Sequence, residues 1–178
     1  MPLDPPVDDP PEHVREILAP IRNGISIAVE TAGNAFAVGA IIRVAHSYLV
    51  RDVVLIGSEP HYEKASMGMH RFERIVRVED DDAFFRSVAP RPVYAFEREH
   101  ARRSLYEIES FPDDAVFLFG SERFGLSRET LSRCDDVIGI PLFGINNSLP
   151  LAVAVGIGLS FWAHRRYADG TIVVGPPR

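Results

Sequence analysis

Short apolar runs at intervals along the chain constrain its fold more than any other feature. Residues 25–29, 53–56, 75–78, 93–96, 115–119 and 137–140 form such runs, each the length of a strand. Between them, apolar residues recur at helical spacing. Ile41, Ile42, Ala45 and Leu49 do so in the second segment, and 150–167 reads as a long final helix. Three acids at 80–82 precede Ala83, Phe84 and Phe85, which marks a helix start at its positive end. Strands alternating with helices predict an α/β fold, with a mostly parallel sheet and helices on both faces. Ligands of such sheets bind beyond the carboxyl ends of the strands. Three loops are expected there, one before Gly39, one at Gly120 and one at Gly144.

Composition narrows the class. The first twelve residues, MPLDPPVDDPPE, have little to bury. We expect a flexible tail over 1–20, a single domain over 21–170 and a short tail over 171–178. A single cysteine, Cys134, excludes an internal disulfide and fits a reducing, cytoplasmic setting. No basic stretch leads into an apolar run at the start, so no signal peptide is expected. The longest apolar run, 149–161, is shorter than the ~20 residues of a membrane span, so no membrane partner is expected.

The net charge of −6 argues against polyanion binding by the whole surface. Local basic clusters remain: Arg98, His100, Arg102 and Arg103 in one, and Lys64, His70, Arg71, Arg74 and Arg77 in the other. Arginine's planar fork suits phosphate, and codon bias would produce the same enrichment. The six histidines show no ligand spacing with Cys134 or each other, so no metal is expected. The chain has no G-x-S-x-G elbow, no P-loop and no G-x-G-x-x-G, which argues against a hydrolase or a dinucleotide enzyme. His46 reads as a partnered helix residue. Trp162 and Phe161 read as core or dimer-interface residues.

Three residue groups stand at the expected loops. In the first, Gly39 permits close backbone approach and Arg43 sits one turn into a helix. An arginine among apolar residues needs a carboxylate partner or a route to solvent. In the second, Gly120-x-Glu122-x-x-Gly125-Leu126 follows a strand, and Ser127 suits a helix cap. Glu122 can accept from a ligand or from backbone N–H groups. In the third, Ile140-Pro141-x-x-Gly144 leads to Ser148, which can cap the last helix or bind a ligand. Pro150 fits that helix's first turn.

In this order and spacing, the groups resemble the SpoU/TrmH family of SPOUT methyltransferases. Gly39-Ala40-Ile41-x-Arg43-x-Ala45 is similar to its first motif and Gly120-x-Glu122-x-x-Gly125-Leu126-Ser127 to its second. Ile140-Pro141-x-x-Gly144 with Ser148-Leu149 and Ala152-x-Ala154 is similar to its third. Lys64-Ala65-Ser66-Met67-Gly68 resembles a further common stretch. The likeness covers roughly 25–165. It implies an α/β-knot fold with a deep C-terminal trefoil knot, an exception to the rule against knots. It also implies a homodimer and S-adenosylmethionine held by Phe96, Gly120, Ile140, Ser148 and Leu149. The implied reaction is methyl transfer to a ribose 2′-hydroxyl of tRNA or rRNA. Arg43, Glu122 and Ser148 are the implied catalytic set. Arg43, Arg123, Arg98, Arg102 and Arg103 are the candidate RNA contacts. Two positions depart from the family pattern. Ala37 and Pro150 stand where asparagines are usual, and Asn34 matches another asparagine of the first motif. These departures open an alternative, a non-catalytic cofactor- or RNA-binding homologue.

Overall fold

The computed structural model describes residues 9–31, 33, 35–146 and 148–167. Asn34, Asn147, the first eight residues of the expected leading tail and the 171–178 tail lie outside the described residues. Seven strands form one sheet: β1 (Ser26–Glu30), β2 (Val53–Ile56), β3 (Ile75–Val78), β4 (Val93–Phe96), β5 (Arg103–Ser104), β6 (Val116–Phe119) and β7 (Asp136–Gly139). Their order is β3-β2-β1-β6-β4-β7-β5, and every neighbouring pair is parallel. The expected parallel α/β architecture is present, and the six apolar runs supply six of its strands. β2, β6 and β7 are buried along their whole length, so both faces of each are covered.

The chain has five helices among the described residues: α1 (Pro11–Leu18), α2 (Ala35–Ser47), α3 (Asp81–Val88), α4 (Arg128–Ser132) and α5 (Leu151–Arg166), of which α2 to α5 pack on the sheet. Successive strand residues feed opposite faces. Ile27, Val29, Leu55, Phe117, Phe119 and Ile138 share a core with α2 and α5. Ala28, Val54, Leu118 and Val137 share another with α3 and α4. Two caps fall where side-chain chemistry predicts. The Asp80 carboxylate accepts from the Ala83 N–H at 2.8 Å, and the Ser127 hydroxyl accepts from the Thr130 N–H at 3.0 Å.

The glycine of the first motif serves packing. A Cβ at Gly39 would lie 2.3 Å from the Tyr62 carbonyl oxygen and 2.8 Å from the Ala65 side chain. The turn around 62–66 therefore seats directly on α2.

The N-terminal expectation needs correction. Residues 11–18 are helical rather than a flexible tail, because Val14 and Leu18 stand one turn apart and bury against Phe72. Pro11 occupies the first helical position, where its missing N–H costs little. Just beyond, the Arg22 guanidinium donates to both oxygens of Glu73, at 2.8 and 3.0 Å, and to the carbonyls of Val50 and Phe72. His46 Nδ1 lies 2.7 Å from Glu73 Oε1, which makes it the partnered residue expected. No helix among the described residues is long and apolar enough to cross a membrane.

Candidate functional site

A cleft of about 520 Å³ opens beyond the carboxyl ends of β4, β6 and β7. That volume lies within the range of small-molecule pockets. Phe96, Phe119 and Ile138, each at or near a strand end, supply its apolar residues, joined by Leu142, Leu149 and Leu151. Phe96 and Phe119 stack with ring centroids 4.7 Å apart. A Cβ at Gly158 of α5 would lie 3.1 Å from the Phe96 ring, so the bare backbone there lets the stack seat against the helix. Glu97, Arg98, Glu122, Asn146 and Ser148 supply polar groups. Such a cleft suits an elongated ligand with one aromatic end and one charged end.

Phe96, Gly120, Ile140, Ser148 and Leu149 all line this cleft, as do Glu122 and Arg98. The loop arrangement differs from expectation in one respect. The loop after β1, before Gly39, is not among the lining segments, and the loop after β4 takes its place. The cleft is centred on β4, whose sheet neighbours are β6 and β7, whereas β1 lies beyond β6.

Glu122 links the second motif to the third. Its Oε1 accepts from the Leu151 N–H at 2.9 Å, across 29 residues of sequence. A carboxylate thus meets an otherwise open donor at the positive end of α5. The expected Ser148 cap does not form. Pro150 is the capping residue and has no side-chain acceptor, while the Ser148 N–H and hydroxyl lie 3.3 and 3.4 Å from Asn146 Oδ1. The helix consequently begins at Leu151.

The 120–126 loop folds back on itself. Gly125 N–H donates to the Ser121 carbonyl at 2.9 Å, and the two residues form an isolated bridge. A Cβ on Gly120 would lie 2.4 Å from the Gly125 carbonyl carbon, so this glycine answers to its own loop's backbone. Gly125 adopts φ +64°, the left-handed region a glycine tolerates. Beneath the loop, Glu30 Oε2 accepts from the Ser121 N–H at 3.1 Å. Burial, reinforced by the Asp81 charge, pushes the Glu30 carboxyl above its ordinary value, against the lowering pull of that hydrogen bond. Sequence reasoning missed Glu30 and Glu97. Each directly ends or follows a strand, and that position was the available signal.

The basic candidates are divided. Arg43 is exposed on α2, with no ion pair among the described residues, and it is not among the residues lining the cleft. It follows the route to solvent. Arg123 is exposed, with its guanidinium 5.1 Å from the Phe124 ring centroid. Arg102 donates to the Leu131 carbonyl at 3.4 Å, and Arg103 pairs with Asp136 at the sheet edge. Cys134 is buried, and burial pushes its thiol up to about 12, so it offers no thiolate nucleophile.

The chain matches the model of the SpoU rRNA Methylase family over residues 24–160. It is 28% identical over 159 residues to the tRNA (guanosine(18)-2'-O)-methyltransferase of Thermus thermophilus, covering 86% of this chain and 81% of that protein. It is 32% identical over 146 residues to the 23S rRNA (adenosine(1067)-2'-O)-methyltransferase of Streptomyces laurentii, covering 78% of this chain and 51% of that one. Among solved structures, an AdoMet-bound rRNA methyltransferase from Sinorhizobium meliloti is similar with a TM-score of 0.70 at 27% identity, over 86% of this chain and 60% of that chain.

Proposed function

The chain belongs to the SpoU rRNA Methylase family, and from that premise we propose that it methylates a ribose 2′-hydroxyl of tRNA or rRNA with S-adenosylmethionine. The observation that carries this reading is the single cleft that gathers Phe96, Gly120, Glu122, Ile140, Ser148 and Leu149 from two separate motifs and a strand end. Its volume, aromatic stack and polar residues fit the cofactor. Bound there, S-adenosylmethionine would supply an electrophilic methyl group on a sulfonium.

The chain's own groups divide the remaining work. Phe96, Ile140 and Leu149 exclude water from the adenosyl end. Glu122 is a positioning residue, because its carboxylate holds the start of α5 against the second motif. Ser148 offers a hydroxyl at the mouth. Arg43 orients the attacking hydroxyl or its adjoining phosphate. A guanidinium holds its proton firmly and is a poor proton acceptor, so orientation is its task.

The same reading carries a trefoil knot, a cytoplasmic setting, one catalytic domain over about 21–170 and a homodimer. Support for the homodimer comes from α5, where Val153 is exposed and Gly156, Ile157, Ser160 and Phe161 line a shallow apolar groove. A helix apolar on its outer side calls for a cover. α2 lies beside α5, with Val44 against Gly156, so pairing there would bring Arg43 to the seam.

Ala37 is buried, and the Pro150 carbonyl accepts from Val153 and Ala154 at the start of α5. Both residues fit the fold as they stand. The relatives bear methyltransferase names, which does not favour a non-catalytic homologue. The test is nucleoside mass spectrometry of tRNA and rRNA from wild-type and deletion strains. One 2′-O-methylnucleoside should vanish in the deletion strain and return with the purified protein. Identical profiles would remove the proposal.

A further inference from the structure

The methyltransferase reading leaves two carboxylates of the cleft, Glu97 and Glu99, without a task, and of these only the Glu97 side chain is held by hydrogen bonds among the described residues. Glu97 directly follows the last residue of β4, the strand on which the cleft is centred. Its Oε1 accepts from the N–H groups of Arg98, at 2.8 Å, and Glu99, at 3.3 Å. The side chain is therefore pinned by its own loop. No hydrogen bond from the described residues reaches Oε2. That oxygen lies over Gly125, where a Cβ would stand 2.9 Å away. Position 125 is kept without a side chain twice over, by its positive φ and by this carboxylate. One oxygen fixed and one open describes an acceptor awaiting a donor.

The surroundings indicate which donor. Phe96, the preceding residue, stacks on Phe119 at the apolar end of the cleft, which suits an adenine ring. Arg98, the next residue, also lines the cleft, between Glu97 and Glu99. The donors of an adenosyl group are its ribose hydroxyls and its 6-amino group. An acidic residue at a strand's carboxyl end serves ribose in dinucleotide-binding sheets by the same chemistry. We propose that Glu97 reads the adenosyl half of the cofactor, with Oε2 accepting a hydrogen bond from one of those donors. This inference rests on the methyltransferase reading.

The test is calorimetry on the full chain with S-adenosylmethionine, S-adenosylhomocysteine and 5′-methylthioadenosine, using wild type, Glu97→Gln and Glu97→Ala. Glutamine keeps an acceptor for the Arg98 and Glu99 N–H groups and turns an amide N–H toward the cleft. Glu97→Gln should weaken all three ligands by the same factor, on the order of tenfold, with a thermal transition close to wild type. Wild-type affinity in Glu97→Gln beside a loss in Glu97→Ala would show that the carboxylate only orders its loop, which overturns the proposal. A loss confined to S-adenosylmethionine would assign Glu97 to the sulfonium charge. A loss that spares 5′-methylthioadenosine would assign it to the amino-acid half. Either result also overturns the proposal. Wild-type protein that binds none of the three removes the cofactor reading along with it. Wild-type binding that is unchanged in both variants removes the Glu97 inference alone.

Discussion

Glu73 and Glu97 occupy opposite kinds of polar site, and their contrast separates structure from function in this chain. Glu73 is fully buried, and both oxygens are taken by Arg22 and His46. Nothing is left for a ligand, and three segments of chain are locked together. Glu97 has one oxygen pinned by two N–H groups and the other facing the cleft. Glu122 stands between these cases, because its Leu151 contact ties the start of α5 while its side chain lines the cleft. Residue type decides neither role. The count of donors that reach each oxygen does.

The sharpest way to break the comparison is Glu73→Ala. It strands Arg22, whose side chain is only 13% exposed. Removing one partner of such a buried pair should cost about 3–5 kcal/mol. For a domain of this size that lowers Tm by roughly 10 °C. Thermal melts measure this, and S-adenosylmethionine affinity below the transition should stay near wild type.

Acid should expose the same site. Burial alone would raise the Glu73 carboxyl, but hydrogen bonds from His46 and Arg22, and their charges, hold it below 4.5. A lowered folded-state value gives stability that is complete above the unfolded value and lost as pH falls through the folded one. Melts between pH 7 and pH 3 should show a loss of Tm in wild type that is blunted in Glu73→Gln.

Glu122→Ala should be milder on stability, about 1 kcal/mol, the usual worth of a helix N-terminal acceptor. Its larger effect should be on cofactor affinity, read by calorimetry, because the start of α5 forms one wall of the cleft.

Glu30→Gln should have the opposite sign from Glu73. A raised folded-state value makes ionisation a cost at neutral pH, and the amide oxygen still accepts from Ser121. Tm at pH 7 should equal or slightly exceed wild type, and the difference should disappear below about pH 4.5.

Arg43→Ala should change stability least, by under about 0.5 kcal/mol, as an exposed substitution. Methyl transfer to RNA should nonetheless fail while S-adenosylmethionine still binds. If both persist, Arg43 has no part in the site.

Much of the architecture was legible because the inner parallel strands are buried on both faces and so read as largely apolar runs. β5 was not legible. It is two residues at the sheet edge, and its place is set by β7 rather than by its own composition. α1 was hidden by flanking prolines and acids, and only Phe72, far along the chain, makes its Val14 and Leu18 worth burying. The motif glycines were visible, yet their reasons were mixed. Gly120 and Gly39 answer to neighbouring backbone, and Gly125 to its own φ and to Glu97. Glu97 itself sat in the charged run Glu97-Arg98-Glu99-His100, where only its place directly after the apolar run 93–96 sets it apart from Glu99.

The sequence by itself determined the alternation of strand and helix, the family resemblance, and the residues at the ends of β4, β6 and β7. Those follow from local periodicity and motif spacing. Tertiary structure decided which groups meet. It gave Glu122, rather than Ser148, to the start of α5. It spent Arg103 on Asp136 and turned Arg43 to solvent away from the cleft. Hydrogen-bond partners separated by tens of residues depend on how strands cross over, and no local pattern encodes that.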